Sequence, residues 1–166
     1  MKTLGLDIST VSTGWAVLAD PPETPNEPKL IDYGCIDFKY SEKISSRIMI
    51  FREAIKGILK LNPDVKYVII EDTYIAKNPK TTKQLNRFAG VAIEAVMSES
   101  SDMLVLCVTA MTVRSAIRPG IKTGKEDIYK IMREWHNLPI VPDDITDAIA
   151  DAWLPFKKRI EDKWII

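Results

Sequence analysis

Residues 143–152 read DDITDAIADA and place four aspartates among mostly apolar positions. At 100° per residue of an α-helix, Asp144, Asp147 and Asp151 lie within about 60° of one another, while the apolar residues point away from them. Such a helix can pack its apolar face on a sheet while its acid face looks along the edge of that sheet. Because like charges one turn apart repel, something nearby should offset the repulsion.

The hydrophobic pattern on either side of this helix predicts an α/β fold. Strands are expected at 3–8, 14–19, 29–38, 66–72 and 103–108, and helices at 45–61, 79–98, 110–117, 124–136 and 143–161. Three strands followed by helices that alternate with two apolar strands indicate one mixed sheet with helices packed on it. A length of 166 residues with 46% hydrophobic content fits a single domain over 1–166.

The amino-acid composition indicates where the protein is located but says little about its activity. Basic and acidic residues both number 23, so net charge argues neither for nor against a nucleic-acid partner. Cys35 and Cys107 lack metal-ligand spacing and are expected to be buried, reduced thiols. No apolar stretch approaches the roughly 18 residues of a membrane span. We therefore expect a cytoplasmic protein without a membrane partner.

Two further acids fall where predicted strands end. Asp7 closes the first strand and Glu71 the apolar run VII. Ligand sites of open α/β sheets lie beyond the carboxyl ends of strands, where a neighbouring helix could add Asp144 and Asp147. Oxygen ligands without His or Cys favour Mg²⁺ or Mn²⁺ over Zn²⁺. Two such ions about 3.5–4 Å apart form the clamp used for attack of water on a phosphodiester.

Each acid also has a purely structural interpretation. Asp7 can be a turn former and Glu71 a solvated strand end. Asp143 follows Pro142 and is expected to be the N-cap of its helix. Asp151, a full turn deeper, could pair with a nearby Lys or Arg. Spacing alone leaves the metal-site and structural interpretations about equal.

Three stretches in order carry a family resemblance. They are LGLDISTVSTGWAVL at 4–18, IIEDTYIAKNPKTTKQLNRFAGVA at 69–92, and DDITDAIADA at 143–152. Together they resemble the RuvC family of Holliday junction resolvases, within the RNase H-like nuclease superfamily. The resemblance implies an RNase H-like mixed five-stranded sheet, its first three strands antiparallel, flanked by helices. The compact form also looks like that of a phage-encoded member.

The resemblance implies roles for individual residues. Asp7, Glu71, Asp144 and Asp147 would be the catalytic metal ligands, holding two Mg²⁺ ions for which Mn²⁺ can substitute. Tyr74 matches an aromatic residue that stacks on bases opened at the junction centre. Arg114 and Lys125 fall where the family places basic residues near the scissile phosphate and backbone.

The distribution of basic residues agrees with a DNA partner. One run without an intervening acid follows the Glu71 strand, and a second basic cluster follows the strand at 103–108. The first comprises Lys77, Lys80, Lys83 and Arg87, with Asn78 beside them; the second comprises Arg114, Arg118, Lys122, Lys125, Lys130 and Arg133. Such runs are often only a solvated face, but here they flank an acid-lined site. The single histidine, His136, is expected to cap or pack at a helix end.

The resemblance, with which the acid and basic clusters agree, implies a metal-dependent endonuclease that cuts four-way DNA junctions by paired symmetric nicking. Two-fold symmetry of the junction implies a C₂ homodimer. The apolar stripe of the helix at 79–98 is either the dimer interface or part of the core. Three alternatives stay open: a nuclease with relaxed choice among forks and flaps, an actin-like phosphotransferase, and a DNA-binding module without catalysis. A branch-migration partner and the preferred cleavage sequence are left open.

Overall fold

The protein folds around one five-stranded sheet, and the computed structural model describes residues 1–21, 27–39, 41–72, 78–158 and 164–166. The strands are β1 (Lys2–Asp7), β2 (Ser12–Ala19), β3 (Lys29–Asp37), β4 (Val65–Glu71) and β5 (Leu104–Val108). Their order is β3-β2-β1-β4-β5. The first three strands are antiparallel, and β1, β4 and β5 run parallel. The predicted fold class is therefore confirmed.

Five helices cover the sheet within the described ranges. They are α1 (Ile44–Leu61), α2 (Pro79–Glu99), α3 (Ala110–Ile117), α4 (Lys125–Trp135) and α5 (Asp143–Lys157). The expected extension of the last helix to 161 is wrong, because Lys158 takes an extended backbone conformation with φ −142° and ψ 140°. Pro155 also lacks the N–H that would sustain the final turn. None of the described helices is long and apolar enough to span a membrane.

Both faces of the sheet are buried, which explains the nearly continuous apolar sequence of β4. Val68 and Ile70 enter the core beneath α1 and α2, whereas Ile69 enters the core beneath α3, α4 and α5. The apolar stripe of α2 belongs to the first core, where Phe88 and Val96 are fully buried. Much of that stripe therefore packs in the core, while Met97 at its end is 58% exposed.

Helix α5 lies directly on the backbone of β1 and β2. The Thr3 hydroxyl donates a buried hydrogen bond of 2.8 Å to the Ala152 carbonyl. A Cβ atom on Gly5 would overlap the Ala148 carbonyl oxygen and lie 2.7 Å from the Ala152 nitrogen. A Cβ atom on Gly14 would overlap the Asp144 carbonyl. Glycine at both positions therefore permits the close approach that fixes α5 against the sheet.

The last described residues return to the sheet beside β5. Ile165 forms an antiparallel bridge with Leu106, and the Ile166 N–H donates to the Val105 carbonyl at 3.1 Å. Trp164, which precedes them, is buried in the core beneath α5. The outer edge of β5 is therefore paired along part of its length.

The close approach of α5 yields a stability prediction. We expect Gly5→Ala to lower the free energy of unfolding by about 1–3 kcal/mol, because a backbone carbonyl cannot rotate away from the new methyl group. Gly57→Ala is the matched control, because a Cβ at this α1 position meets no atom within 4 Å. That substitution should raise the free energy of unfolding by about 0.5–1 kcal/mol. Urea unfolding of both variants would decide; equal stabilities would contradict the described docking of α5.

Candidate functional site

The ends of β1 and β4 bring two of the predicted acids to one edge of the sheet. Leu6 pairs with Ile70 in the parallel β1–β4 ladder, so the residues that follow them, Asp7 and Glu71, end neighbouring strands. On the other side of β1, Asp7 pairs with Gly14, whose Cα lies against the Asp144 backbone. The first turn of α5 therefore begins beside Asp7.

The electrostatics show that the four predicted acids act on one another. Burial raises the pKa of Asp7 to about 8 from its ordinary 3.8, and the carboxylates of Asp147, Glu71 and Asp144 add to this effect. Burial is also the main cause that raises the pKa values of Glu71, Asp144 and Asp147. The structure thus gathers four mutually repelling carboxyl groups at the strand ends.

The four carboxyl groups do not form a closed ligand cage. Among the described residues, no group of three His, Cys, Asp or Glu side chains is arranged to hold a metal ion. Repulsion among the carboxylates opposes such a cage, and Asp147 already has a cationic partner in Lys125. What the site offers is a set of hard oxygen donors, the type that Mg²⁺ and Mn²⁺ prefer.

Lys125 supplies a positive charge that offsets the repulsion among the aspartates of residues 143–152. Its Nζ lies 3.0 Å from a carboxylate oxygen of Asp143 and 3.0 Å from one of Asp147. Burial lowers the pKa of Lys125, but its hydrogen bonds to Asp143 and Asp147 outweigh that effect and raise it overall. Lys125 is the first residue of α4, whose start is fixed by a 2.8 Å hydrogen bond from the Gly124 N–H to Asp127.

Asp143 does not have the capping role expected of it. The N-cap of α5 is Pro142, without a side-chain cap, and Asp143 is already the first helical residue. Its carboxylate instead accepts a hydrogen bond from Lys125, which lowers the pKa of Asp143. The partner of this carboxylate is therefore the Lys125 ammonium, with which it forms a charge-assisted hydrogen bond of 3.0 Å.

The acid face of α5 is more deeply buried than its amphipathic pattern indicated. Asp147 is 8% exposed and Asp151 only 1%, because α3 and α4 pack over this side of the helix. The pairing with a Lys or Arg considered for Asp151 is not found among the described residues, where its Oδ2 atom has no hydrogen-bond partner. Burial, followed by the charges of Glu71, Asp7 and Asp147, raises the pKa of Asp151 well above its ordinary value.

Apart from Lys125, the predicted DNA-binding residues fall into three groups. Arg114 on α3 is half-buried and close enough to Glu71 and Asp147 to lower their pKa values in opposition to burial. Four others, Asn78, Lys80, Lys83 and Arg87, are exposed along the first turns of α2. Asn78 also caps that helix, since its side chain accepts the Lys80 N–H at 2.9 Å. Tyr74 and Lys77 lie outside the described residues.

The remaining candidates are structural. His136 packs at the end of α4, as expected, and its Nε2 accepts a 2.8 Å hydrogen bond from the Trp153 indole. Cys35 and Cys107 are free thiols, as predicted, but they are half-buried rather than fully buried. They lie on β3 and β5, the two outermost strands of the sheet.

The raised pKa of Asp7 predicts how stability depends on pH. Between about pH 4 and pH 8 the folded protein keeps a proton on Asp7 that the unfolded chain has released. The free energy of unfolding should therefore fall as the pH rises through this window. Asp7→Asn should reduce that slope and stabilise the metal-free protein at pH 8 by about 1 kcal/mol or more. Urea unfolding in EDTA at pH 5 and pH 8 measures this.

An exposed aspartate provides the control for this measurement. Asp102, in the turn between α2 and β5, is exposed and distant in sequence from the acid cluster. Asp102→Asn should keep the pH slope of the wild-type protein. A slope that is identical in the Asp7→Asn variant would contradict the burial of Asp7 beside the other acids.

Known proteins match this chain over almost all of its length. A family model described as "Crossover junction endodeoxyribonuclease RuvC" matches residues 3–153. The protein of that name from Wolinella succinogenes is 31% identical over 154 residues, covering 92% of this chain and 91% of the relative. The relative from Aliarcobacter butzleri is also 31% identical over 154 residues, covering 92% and 96%.

A solved structure matches the fold. The structure of T. thermophilus RuvC in complex with Holliday junction substrate superimposes with a TM-score of 0.79 at 17% identity, and the alignment covers 94% of each chain. At this identity the structural match shows a shared fold only. The match to the family model and to the two relatives shows similarity in sequence. The chain therefore belongs to the RuvC family of crossover junction endodeoxyribonucleases.

Proposed function

We propose that this chain is an endonuclease that resolves four-way DNA junctions by paired, symmetric nicking. Membership of the RuvC family supports the reaction class, and the relatives carry that activity in their names. The observation that carries the proposal is the group of four carboxyl groups at the ends of β1, β4 and the start of α5. Gathering buried acids is costly for a fold, so a module that only binds DNA has no reason to keep them.

Asp7, Glu71, Asp144 and Asp147 are proposed to hold the metal. RuvC-family nucleases are metal-dependent, and the all-oxygen donor set fits two Mg²⁺ ions, with Mn²⁺ as a substitute. Mg²⁺ in nucleic-acid enzymes is commonly held by one or two carboxylates together with waters and substrate phosphates. Four carboxylates that do not form a closed cage are compatible with this mode of Mg²⁺ coordination. When bound, the ions would supply activation of water and neutralisation of charge on the leaving oxygen.

The chain's own basic residues have two tasks in this proposal. Lys125 and Arg114 stand at the acid cluster and can contact the phosphate that is cut, Lys125 by exchanging its carboxylate partners for a phosphate oxygen. Asn78, which caps α2, and the exposed Lys80, Lys83 and Arg87 of its first turns would contact the DNA backbone farther from the cut. Tyr74 and Lys77 are proposed, from the sequence alone, to contact the junction centre and the backbone.

Symmetric nicking requires two active sites. We therefore propose a C₂ homodimer in which residues 1–166 of each subunit act as one nuclease domain. The buried stripe of α2 is unavailable for the contact between subunits, so an interface that involves this helix must use its outward face.

The central test is a nicking assay with a synthetic immobile junction beside fork, flap and linear duplex substrates. We expect Mg²⁺-dependent nicks at symmetric positions on two opposed strands of the junction. Asp7→Asn should retain junction binding and lose cleavage by at least about 100-fold, because the loss of a metal-holding charge removes several kcal/mol of transition-state stabilisation. Asp102→Asn should cut like the wild-type protein.

Two outcomes would count against the proposal. Full nicking by the Asp7→Asn variant would refute the assignment of the acid cluster as the catalytic site. Equal cutting of forks, flaps and junctions would replace junction resolution with a broader branched-DNA endonuclease.

The proposed role of α2 predicts a salt signature. Single substitutions Lys80→Ala, Lys83→Ala and Arg87→Ala should each weaken junction binding and reduce the slope of log K against log salt concentration by about 1. Lys60→Ala is the control, because Lys60 is exposed in the last turn of α1, just before β4 begins and thus away from the carboxyl ends of the strands. Titrations in a filter-binding or anisotropy assay measure the slopes; unchanged slopes in all three α2 variants would exclude this surface from DNA contact.

A further inference from the structure

Asp151 is a buried acid that the proposed metal site does not use. It lies one helical turn beyond Asp147 on α5, among residues that are otherwise small or apolar. Its side chain is 1% exposed, and its Oδ2 atom has no hydrogen-bond partner among the described residues. An alanine or valine would fill such a place without leaving a polar atom unsatisfied. The fold therefore keeps a carboxyl group where packing alone does not ask for one.

A small cavity lies against this carboxyl group. Its volume is about 10 Å³, and its polar walls are Glu71, Arg114, Asp147 and Asp151. The remaining walls are the apolar side chains of Ala110, Val113, Ile128 and Ala150. One water molecule needs roughly 10–15 Å³ and two to four polar partners. The cavity therefore matches a single water in both size and chemistry, and is too small for a larger ligand.

Two of the proposed metal-holding residues, Glu71 and Asp147, also line this cavity. Carboxylates that bind metals are usually hydrogen-bonded by further groups, which fix their orientation and are needed for full metal affinity. Lys125 gives this support to Asp147 on its exposed side, at 3.0 Å. A water held by Asp151 in the cavity would give a hydrogen bond to each of these two carboxylates.

We propose that Asp151 is a positioning residue: it holds one buried water that hydrogen-bonds to Glu71 and Asp147 and orients both carboxylates toward the sheet edge. This role rests on the proposed function, since it presumes that these two acids hold a divalent ion. Asp151 itself lies too deep to face the DNA and is not assigned contact with the ion.

The test compares two substitutions of Asp151 by direct Mn²⁺ binding, measured by isothermal calorimetry without DNA. Asp151→Val removes the water's partner, and we expect Mn²⁺ affinity to fall by about 10–100-fold. Asp151→Asn keeps the size and hydrogen-bonding capacity, so its affinity should stay within about threefold of the wild-type value. Melting temperatures are measured in parallel to verify that both variants are folded.

A second variant displaces the water without changing Asp151. Ala110→Val adds two methyl groups to another wall of the cavity and should weaken Mn²⁺ binding to a similar extent. Thr146→Val is the matched control: Thr146 is fully buried on the same helix but lies outside the cavity, and its hydroxyl bonds to the Asp143 carbonyl. Its Mn²⁺ affinity should equal that of the wild-type protein. If Asp151→Val does not fold, Ala110→Val decides the question.

The outcomes separate this role from the proposed function. Wild-type affinity in both Asp151→Val and Ala110→Val overturns the positioning role alone. A loss in Asp151→Asn as large as that in Asp151→Val also overturns it, in favour of a charge that contacts the ion directly. Asp7→Asn is titrated alongside: if it binds Mn²⁺ as tightly as the wild-type protein, or if the wild-type protein binds none, the proposed metal site fails and the role of Asp151 fails with it.

Discussion

The direct contact between α5 and the backbone of β1 and β2 is the constraint on which the site depends. Gly5 and Gly14 let the helix approach closely enough for its carbonyls to lie over the strands, and Thr3 anchors the far end through Ala152. Without this approach, the first turn of α5 would lie farther from Asp7. The absence of a Cβ atom at Gly5 and Gly14 sets the distance between α5 and the sheet. This distance controls whether the carboxyl groups of α5 lie near those at the ends of β1 and β4.

Burying these carboxyl groups is unfavourable, and the rest of the fold compensates only in part. Burial and mutual repulsion raise the pKa values of Asp7, Glu71 and Asp144. Lys125 forms ion pairs with Asp143 and Asp147. One carboxyl oxygen of Asp151, in contrast, has no hydrogen-bond partner among the described residues. Compensation of this incomplete kind is typical of functional sites, where local stability is given up for chemistry. A divalent cation is the natural remaining source of positive charge.

Much of the fold was predictable because its elements have strong local signals. The apolar run before Glu71 and the helical spacing of α1 and α2 identify their elements without reference to the rest of the chain. The strand-end positions of Asp7 and Glu71 followed from these elements. The acids of α5 were placed on one face by helical geometry alone. Local patterns were therefore sufficient to place the acids on their elements, whereas the choice of Asp144 and Asp147 as site residues came from the family resemblance.

What the sequence did not reveal depends on how separate elements pack. The ion pair between Lys125 and Asp143 requires the start of α4 to lie beside the start of α5, which no local pattern encodes. The burial of Asp151 requires α3 and α4 to cover a helix face that looks polar in isolation. Gly5 belongs to the first of the three stretches that carry the resemblance. A glycine in a strand does not indicate, however, which backbone will approach it. Tertiary contacts overrode local preference at each of these places.

The pairing of the last described residues with β5 has a consequence for association between molecules. An unpaired strand edge offers a row of backbone groups to which another chain can add a strand, and such addition leads to aggregation. The Leu106–Ile165 bridge and the bond from Ile166 to Val105 occupy that row on β5. Ile165 and Ile166 thereby reduce the number of free backbone groups on this edge and oppose the addition of a strand from another molecule there.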